Sequence, residues 1–200
     1  MARVHAQLEL QGRQVIFRDL LHSDLPHIAD YWSNAAPDFL ERMGVDDSKL
    51  GSPEAIMARF EPAIPSGNPV QRKLAFAIEV DGKMVGYTNL NRYSPGENYS
   101  HWHIIDPPWR KSGLSTLLYP YRLHTYFTCA PINRLIHQTR PENIGVNRLL
   151  DRFIPIAETS FVAKPDGLAL PGIFNLRHVM RDDLPRIMAM ASEGGGSAHA

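Results

Sequence analysis

The stretch PPWRKSGLSTLLYP, residues 107–120, decides how the chain is read. Two prolines and a tryptophan close a strand. Two cations, a glycine and two hydroxyls then precede an apolar run at helical spacing. The first N–H groups of a helix have no internal acceptor and lie at the positive end of its dipole. A strand-to-helix turn of this kind is a ready site for anions, phosphate above all. Gly113 lets backbone approach a ligand closely, Arg110 and Lys111 add charge, and Ser115 and Thr116 add hydroxyl donors. A plain capped helix with solvated cations fits the same pattern. Neither the GxxxxGK[ST] phosphate loop nor GxGxxG is present.

Outward from this turn, apolar alternation predicts strands at 13–20, 73–80, 84–91, 98–105, 133–139, 158–164 and 172–181. Asp81-Gly82 joins two of them as a hairpin. Helices are expected from Leu25 to near Asn34, from Pro53, from Gly113 to Phe127, and over 141–153, with Pro120 kinking or interrupting the third. Residues 36–52 read as loop or broken helix, and PAIPSGNP (62–69) as loop. The order β, α, α, β, β, β, α, β, α, β, β, with no dividing linker, implies one α/β domain with a partly antiparallel sheet.

Composition narrows the function classes. The chain has 200 residues, 44% of them hydrophobic, and 21 acidic against 21 basic side chains. Zero net charge argues against a nucleic-acid-coating protein. Cys129 is the single cysteine, so no intramolecular disulfide forms and a buried thiol is expected. No apolar leader and no stretch near the roughly 20 apolar residues of a membrane span appear, so a cytoplasmic protein without a membrane partner is the expectation. His101 and His103 form an H-x-H pair, yet no third ligand stands at a metal-site spacing and no metal is expected. A G-x-S-x-G elbow is absent.

Arg110-Lys111-Ser112-Gly113-Leu114-Ser115 resembles the acyl-CoA signature [Q/R]-x-x-G-x-[G/A] of the GNAT superfamily of N-acetyltransferases, with Ser115 replacing the final small residue. About 30 residues on, ENIGVNRLLDRF resembles the family's N-x-x-S-x-R-x-L-E-K-x-G-F helix through Asn143, Arg148, Leu150, Asp151 and Arg152. Val146 replaces its Ser, and Ile154-Pro155 its Gly-Phe. The early SDLPHIADYW helix and the closing FNLRHVMR strand are similar to the branch of ribosomal-protein N-terminal acetyltransferases. The resemblance covers roughly residues 12–182. It leaves 1–11 as an N-terminal extension and 183–200, ending SEGGGSAHA, as a flexible tail. It implies a single GNAT-like domain whose mixed sheet has about seven strands flanked by helices.

The resemblance implies acetyl-CoA as cosubstrate. Its pyrophosphate would rest on the turn of Arg110, Lys111, Ser112, Gly113, Leu114, Ser115 and Thr116. Its pantetheine arm would lie between the strands at 98–105 and 133–139, in contact with Asn143. An amine, on a small molecule or a peptide, would attack the thioester directly. An alkyl ammonium, with a pKa of about 10, must first lose a proton. His101 and His103 share one strand face and are candidate acceptors, with Glu97 a further one. Leu150 stands where the family carries a tyrosine acid. Sulfur is then protonated by another group, leaves as thiolate, or marks a weak catalyst. The last case is the alternative reading: an acyl-CoA-binding module for sensing or assembly. Tyr31, Trp32, Asp38, Phe39, Glu41, Arg42, Asp46 and Asp47 fall in the expected acceptor wall, where carboxylates would favour a cationic amine. The resemblance also allows a homodimer.

Overall fold

The computed structural model of the chain describes residues 2–65, 73–165 and 167–193, with side chains to 190. Ala6 and Leu8 are buried and Leu10 half-buried, alternating with Gln7 and Glu9, so β1 (Val4–Leu10) turns this apolar face inward, while Val4, ahead of a register shift, stays exposed. The turn at Gln11-Gly12, both at positive φ, returns the chain as β2 (Arg13–Asp19). There follow β3 (Leu74–Val80), β4 (Lys83–Ser94), β5 (Glu97–Ile104), β6 (Arg134–Thr139), β7 (Glu158–Val162) and β8 (Gly172–Met180). They form one sheet in the order β1-β2-β3-β4-β5-β6-β8-β7. Its pairs are antiparallel except β5 with β6.

Helices cover both faces, and the central strands are apolar on both sides accordingly. Phe76, Ile78 and Val80 of β3 join Leu114, Leu118, Tyr119, Leu123 and Tyr126 of α4 (Leu114–Cys129) in one core. Ala75 and Ala77 of the same strand join a second core. It holds Ile28 and Trp32 of α1 (Leu25–Ser33), Leu40 of α2 (Pro37–Met43), and Ile56 and Phe60 of α3 (Pro53–Phe60). The remaining helices are α5 (Ile144–Asp151) and α6 (Leu184–Glu193).

The parallel pair β5–β6 is short. Glu97 faces Arg134, Asn98 faces Leu135 and Tyr99 faces Ile136, and there pairing ends. Beyond Tyr99, β5 runs on to Ile104 paired with β4 alone. A wedge opens between the two strands, roofed by α4 and α5.

A buried polar cluster holds α5 over this wedge. Asn147 Oδ1 accepts from Thr139 Oγ1 (2.9 Å), Asn175 Nδ2 (3.2 Å) and Arg177 Nη1 (2.9 Å). Its Nδ2 donates to the carbonyl oxygens of Arg140 (2.7 Å) and Asn143 (3.0 Å). Arg177, fully buried, also donates to Asp151 Oδ1 at 2.5 Å. The cluster ties α5 to β6 and β8.

Several expectations are corrected. The sheet has eight strands rather than about seven, because residues 1–11 contain β1. The segment assigned to a flexible tail begins with α6, whose Ile187 packs fully buried in the α4 core. Residues 36–52, by contrast, follow the broken-helix alternative: α2 stops at Gly44 in the left-handed region (φ 68°), and a 3-10 turn follows at Asp47–Lys49. α4 runs unbroken through Pro120, held by buried Tyr119 and Leu123 on either side. Cys129 is half-buried, not enclosed. Of the predicted loop at 62–69, residues 66–69 lie outside the described residues, as do the tail's last seven.

If β1 is integral to the sheet, Leu8→Ala should lower the unfolding free energy by about 2–3 kcal/mol in a denaturant titration. An unchanged midpoint would return residues 1–11 to the status of an extension.

Candidate functional site

The wedge is the mouth of a cleft of about 1410 Å³ that touches both faces of the sheet. One wall is the turn at 110–116. Lys111 takes φ 63° and Gly113 φ 95°, so two left-handed residues swing the chain from a single 3-10 turn at 107–109 into α4. Ser112 Oγ donates to the Trp109 carbonyl (2.8 Å) and accepts from Leu114 N–H (3.2 Å), bracing the turn ahead of the helix. The helical ladder opens with Leu117 N–H on the Gly113 carbonyl at 3.0 Å. The N–H groups of Ser115 and Thr116 precede that bond and have no intrahelical acceptor. Arg110, Lys111, Gly113, Leu114, Ser115 and Thr116 line the cleft; Ser112 does not. Arg110 Nε donates to the Ile104 carbonyl (3.1 Å), and its guanidinium lies over the Phe39 ring.

The opposite wall is α5. Asn143 lines the cleft and caps α5, its Oδ1 accepting from Val146 N–H at 3.4 Å. Leu150 reaches the cleft with 2% exposure and otherwise packs in the α4 core. Below the turn, His137 on β6 is buried, its Nε2 3.0 Å from the Tyr119 hydroxyl. Burial first, then the Arg122 and Arg177 guanidinium groups, hold its pKa well below the usual histidine range.

The three proposed proton acceptors separate in space. Glu97 does not line the cleft. It sits where β5 and β6 still pair, ion-paired to Arg134 and hydrogen-bonded by Ser94, so its carboxylate is engaged away from the wedge. His103 lines the cleft but is wrapped in aromatic rings. It stacks on Tyr87 (centroids 5.0 Å), meets Trp32 edge-on (4.9 Å), and places Nδ1 3.5 Å from the Tyr31 hydroxyl. Burial, with a smaller push from His101, lowers its pKa to about 3. A neutral imidazole that weak is a poor acceptor for an ammonium proton. His101 lines the cleft two residues nearer the parting point, with Nε2 3.2 Å from Asn91 Nδ2. Among the described residues no cluster of three His, Cys, Asp or Glu side chains could hold a metal ion.

The half of the cleft under α1, α2 and α3 is aromatic and cationic. Tyr31, Trp32, Phe39, Phe60 and Tyr87 line it, with Lys49, Arg59 and Arg140. Burial raises Tyr31 to about 12, so its hydroxyl stays protonated. Asp38, Glu41, Asp46 and Asp47, expected to favour a cationic amine, do not line the cleft. Asp38 pairs with Arg42 (3.1 Å), and Asp46 accepts from Ser48 and pairs with Lys49 (3.2 Å). Among the described lining residues Glu9 is the only carboxylate, and it belongs to β1 on the α4 side.

Asn147, Arg177, His137 and Arg122, which the motifs do not single out, prove to shape the site. Arg122 was legible in principle. It follows Leu118 and Tyr119 and precedes Tyr126 at helical spacing, on the apolar face of α4.

His103 and His137, neutral when folded, should make stability fall in acid. Their folded pKa values lie below the ordinary 6.5, so below that pH the unfolded chain binds protons the folded chain refuses. Urea midpoints should decline from pH 6.5 toward 3, and His103→Asn should flatten part of that slope. Identical slopes in both proteins would contradict a buried neutral His103.

No protein-family model matches the chain, and no curated protein matches it by sequence. Solved structures do. Mycobacterium smegmatis RimJ, in complex with CoA-disulfide, aligns over 97% of this chain and 95% of its own, with a TM-score of 0.72 at 16% identity. The RimL ribosomal alpha-N-protein acetyltransferase, in complex with coenzyme A, covers 88% of this chain and 99% of its own, with a TM-score of 0.68 at 15% identity. The aminoglycoside acetyltransferase AAC(6')-Ib with coenzyme A covers 86% and 98%, with a TM-score of 0.63 at 14% identity. An eight-stranded mixed sheet parted at its one parallel pair, with the turn at 110–116 beside the gap, is thus the fold of the GNAT acetyltransferases.

Proposed function

We propose that the chain binds acetyl-CoA in the wedge and transfers the acetyl group to an amine. The observation that carries this reading is the coincidence of the parted β5–β6 pair with the unpaired amides at the start of α4. The amides of Ser115 and Thr116, with Arg110 and Lys111, would take the diphosphate. The pantetheine arm would run down the wedge, where β5 beyond Tyr99 has no ladder partner on that side. A β5 N–H facing the gap would support the thioester oxygen as charge builds there. His101 would accept the amine proton, directly or through water.

The acceptor half supports a neutral or acid-bearing amine with an apolar body. Arg59 and Arg140 would repel a polycation, and no carboxylate lines that half to offset them, the one on Lys49 being Asp46 behind it. In this respect the cleft suits a peptide-like or amino-acid-like acceptor better than an aminoglycoside. A second reading, a coenzyme A binder without turnover, is favoured by Leu150, a residue that cannot donate a proton.

Thiol release from acetyl-CoA, measured with amine pairs that differ only in carrying a carboxylate, tests both readings. Turnover should favour the acid-bearing member, and His101→Ala should lower kcat by roughly 10²–10⁴-fold. Gly113→Asp should abolish acetyl-CoA binding while Gly113→Ala, equally strained at this φ, retains it. Binding without thiol release from any amine would select the second reading. A preference for polycationic amines would refute the proposed acceptor class.

A further inference from the structure

Arg122 is a buried cation without a counter-ion. It is 2% exposed, and its guanidinium is packed among rings: 4.6 Å from the Trp102 centroid, 5.0 Å from Tyr119 and 6.0 Å from Tyr126. Its Nε has no hydrogen-bond partner, and no carboxylate reaches it among the described residues. The neighbouring Trp102 Nε1 is buried and unpartnered too. Both residues border the cleft. A buried guanidinium nitrogen with no acceptor is costly, and folded proteins nearly always pair such a group. Here the cleft is a direction from which an anion can arrive.

Its place along α4 says which anion. From Leu114 to Arg122 is eight residues, or about 12 Å at 1.5 Å per residue. A pantetheine arm, with two amide units and their linkers, is comparable to an extended tetrapeptide of roughly 13–14 Å. An arm anchored by its diphosphate at the start of α4 therefore brings its sulfur to the level of Arg122. We propose that Arg122, with Trp102 Nε1 beside it, receives the negative charge of the departing coenzyme A thiolate. The inference rests on the acetyl-transfer reading above. In the step itself the amine nitrogen bonds to the carbonyl carbon, the C–S bond breaks, and its electron pair remains on sulfur. The alkyl ammonium gives up one proton to water before attack, and the second, left on nitrogen once the new bond has formed, goes to His101 or water. Sulfur needs no acid while a fixed guanidinium faces it, which accounts for a leucine at 150.

The groups facing Arg122 stay silent between pH 7 and 9. Burial raises Tyr119 and Tyr126 of α4 and lowers His137 of β6; the Arg177 guanidinium of β8 is ion-paired with Asp151. Calorimetric titration of the full chain with coenzyme A and with acetyl-CoA across this range isolates the thiol, since the ligands differ only there. The affinity ratio should rise in favour of coenzyme A with pH, by up to tenfold per unit. In Arg122→Met the ratio should be flat, and Arg122→Lys should restore part of the rise. Thermal melts check the fold: removing an unpaired buried cation should raise the melting temperature of the Met variant. A flat ratio in the unaltered protein overturns the proposal, as does an unchanged rise in Arg122→Met. A lowered melting temperature together with an unchanged rise assigns Arg122 to packing. If the protein binds neither ligand, the acetyl-transfer reading itself fails and this inference goes with it.

Discussion

The site depends on one interruption in hydrogen bonding. β5 and β6 pair in parallel for three residues and then separate after Tyr99 and Ile136. Backbone groups withdrawn from a ladder must find other partners, so a sheet does not open without compensation. Here β4 continues to pair β5 on its other edge as far as Gly86 with Ile104, and β8 continues to pair β6 up to Thr139 with Asn175. Each parted strand is held from outside while its inner edge faces the cleft. That arrangement leaves a slot with strand-like edges, suited to an extended ligand that offers amide groups.

Two features of side-chain chemistry keep the slot open. The Asn147 cluster is almost entirely satisfied, with every bond running from α5 to β6, to β8 or to the α5 entry loop. Such a network fixes position more than it adds stability. On the other side, Thr88 of β4 and Tyr126 of α4 hydrogen-bond in the core, and Arg122 fills the space between Trp102 and Tyr119 with a charged group where an aliphatic one would pack as well. The contrast is informative. Arg122 Nε and Trp102 Nε1, both without a partner, border the cleft.

Much of the fold was legible because its strands alternate cleanly and its punctuation is strong. Asp81-Gly82, Ser52-Pro53 and the turn before Leu114 mark boundaries that the structure keeps. β1 was missed although Val4, Ala6, Leu8 and Leu10 carry the period of two; charge between them masked a strand that buries only one face. The acidic residues of 38–47 illustrate a different limit. Sequence gives a carboxylate's presence but not its direction: Asp38 turns toward Arg42 and Asp46 toward Ser48 and Lys49, and neither lines the cleft. His101 and His103 share a strand face, as alternation requires, yet their surroundings differ because Trp32 and Tyr87, distant in sequence, close over only one of them.

The central claim is that an extended coenzyme A arm completes the parted sheet. Hydrogen–deuterium exchange of the full chain, with and without coenzyme A, reads this directly. The account predicts protection confined to the segments 100–104, 137–139 and 111–116, where amides gain a ligand. Protection centred elsewhere, or none at saturating coenzyme A, would contradict it.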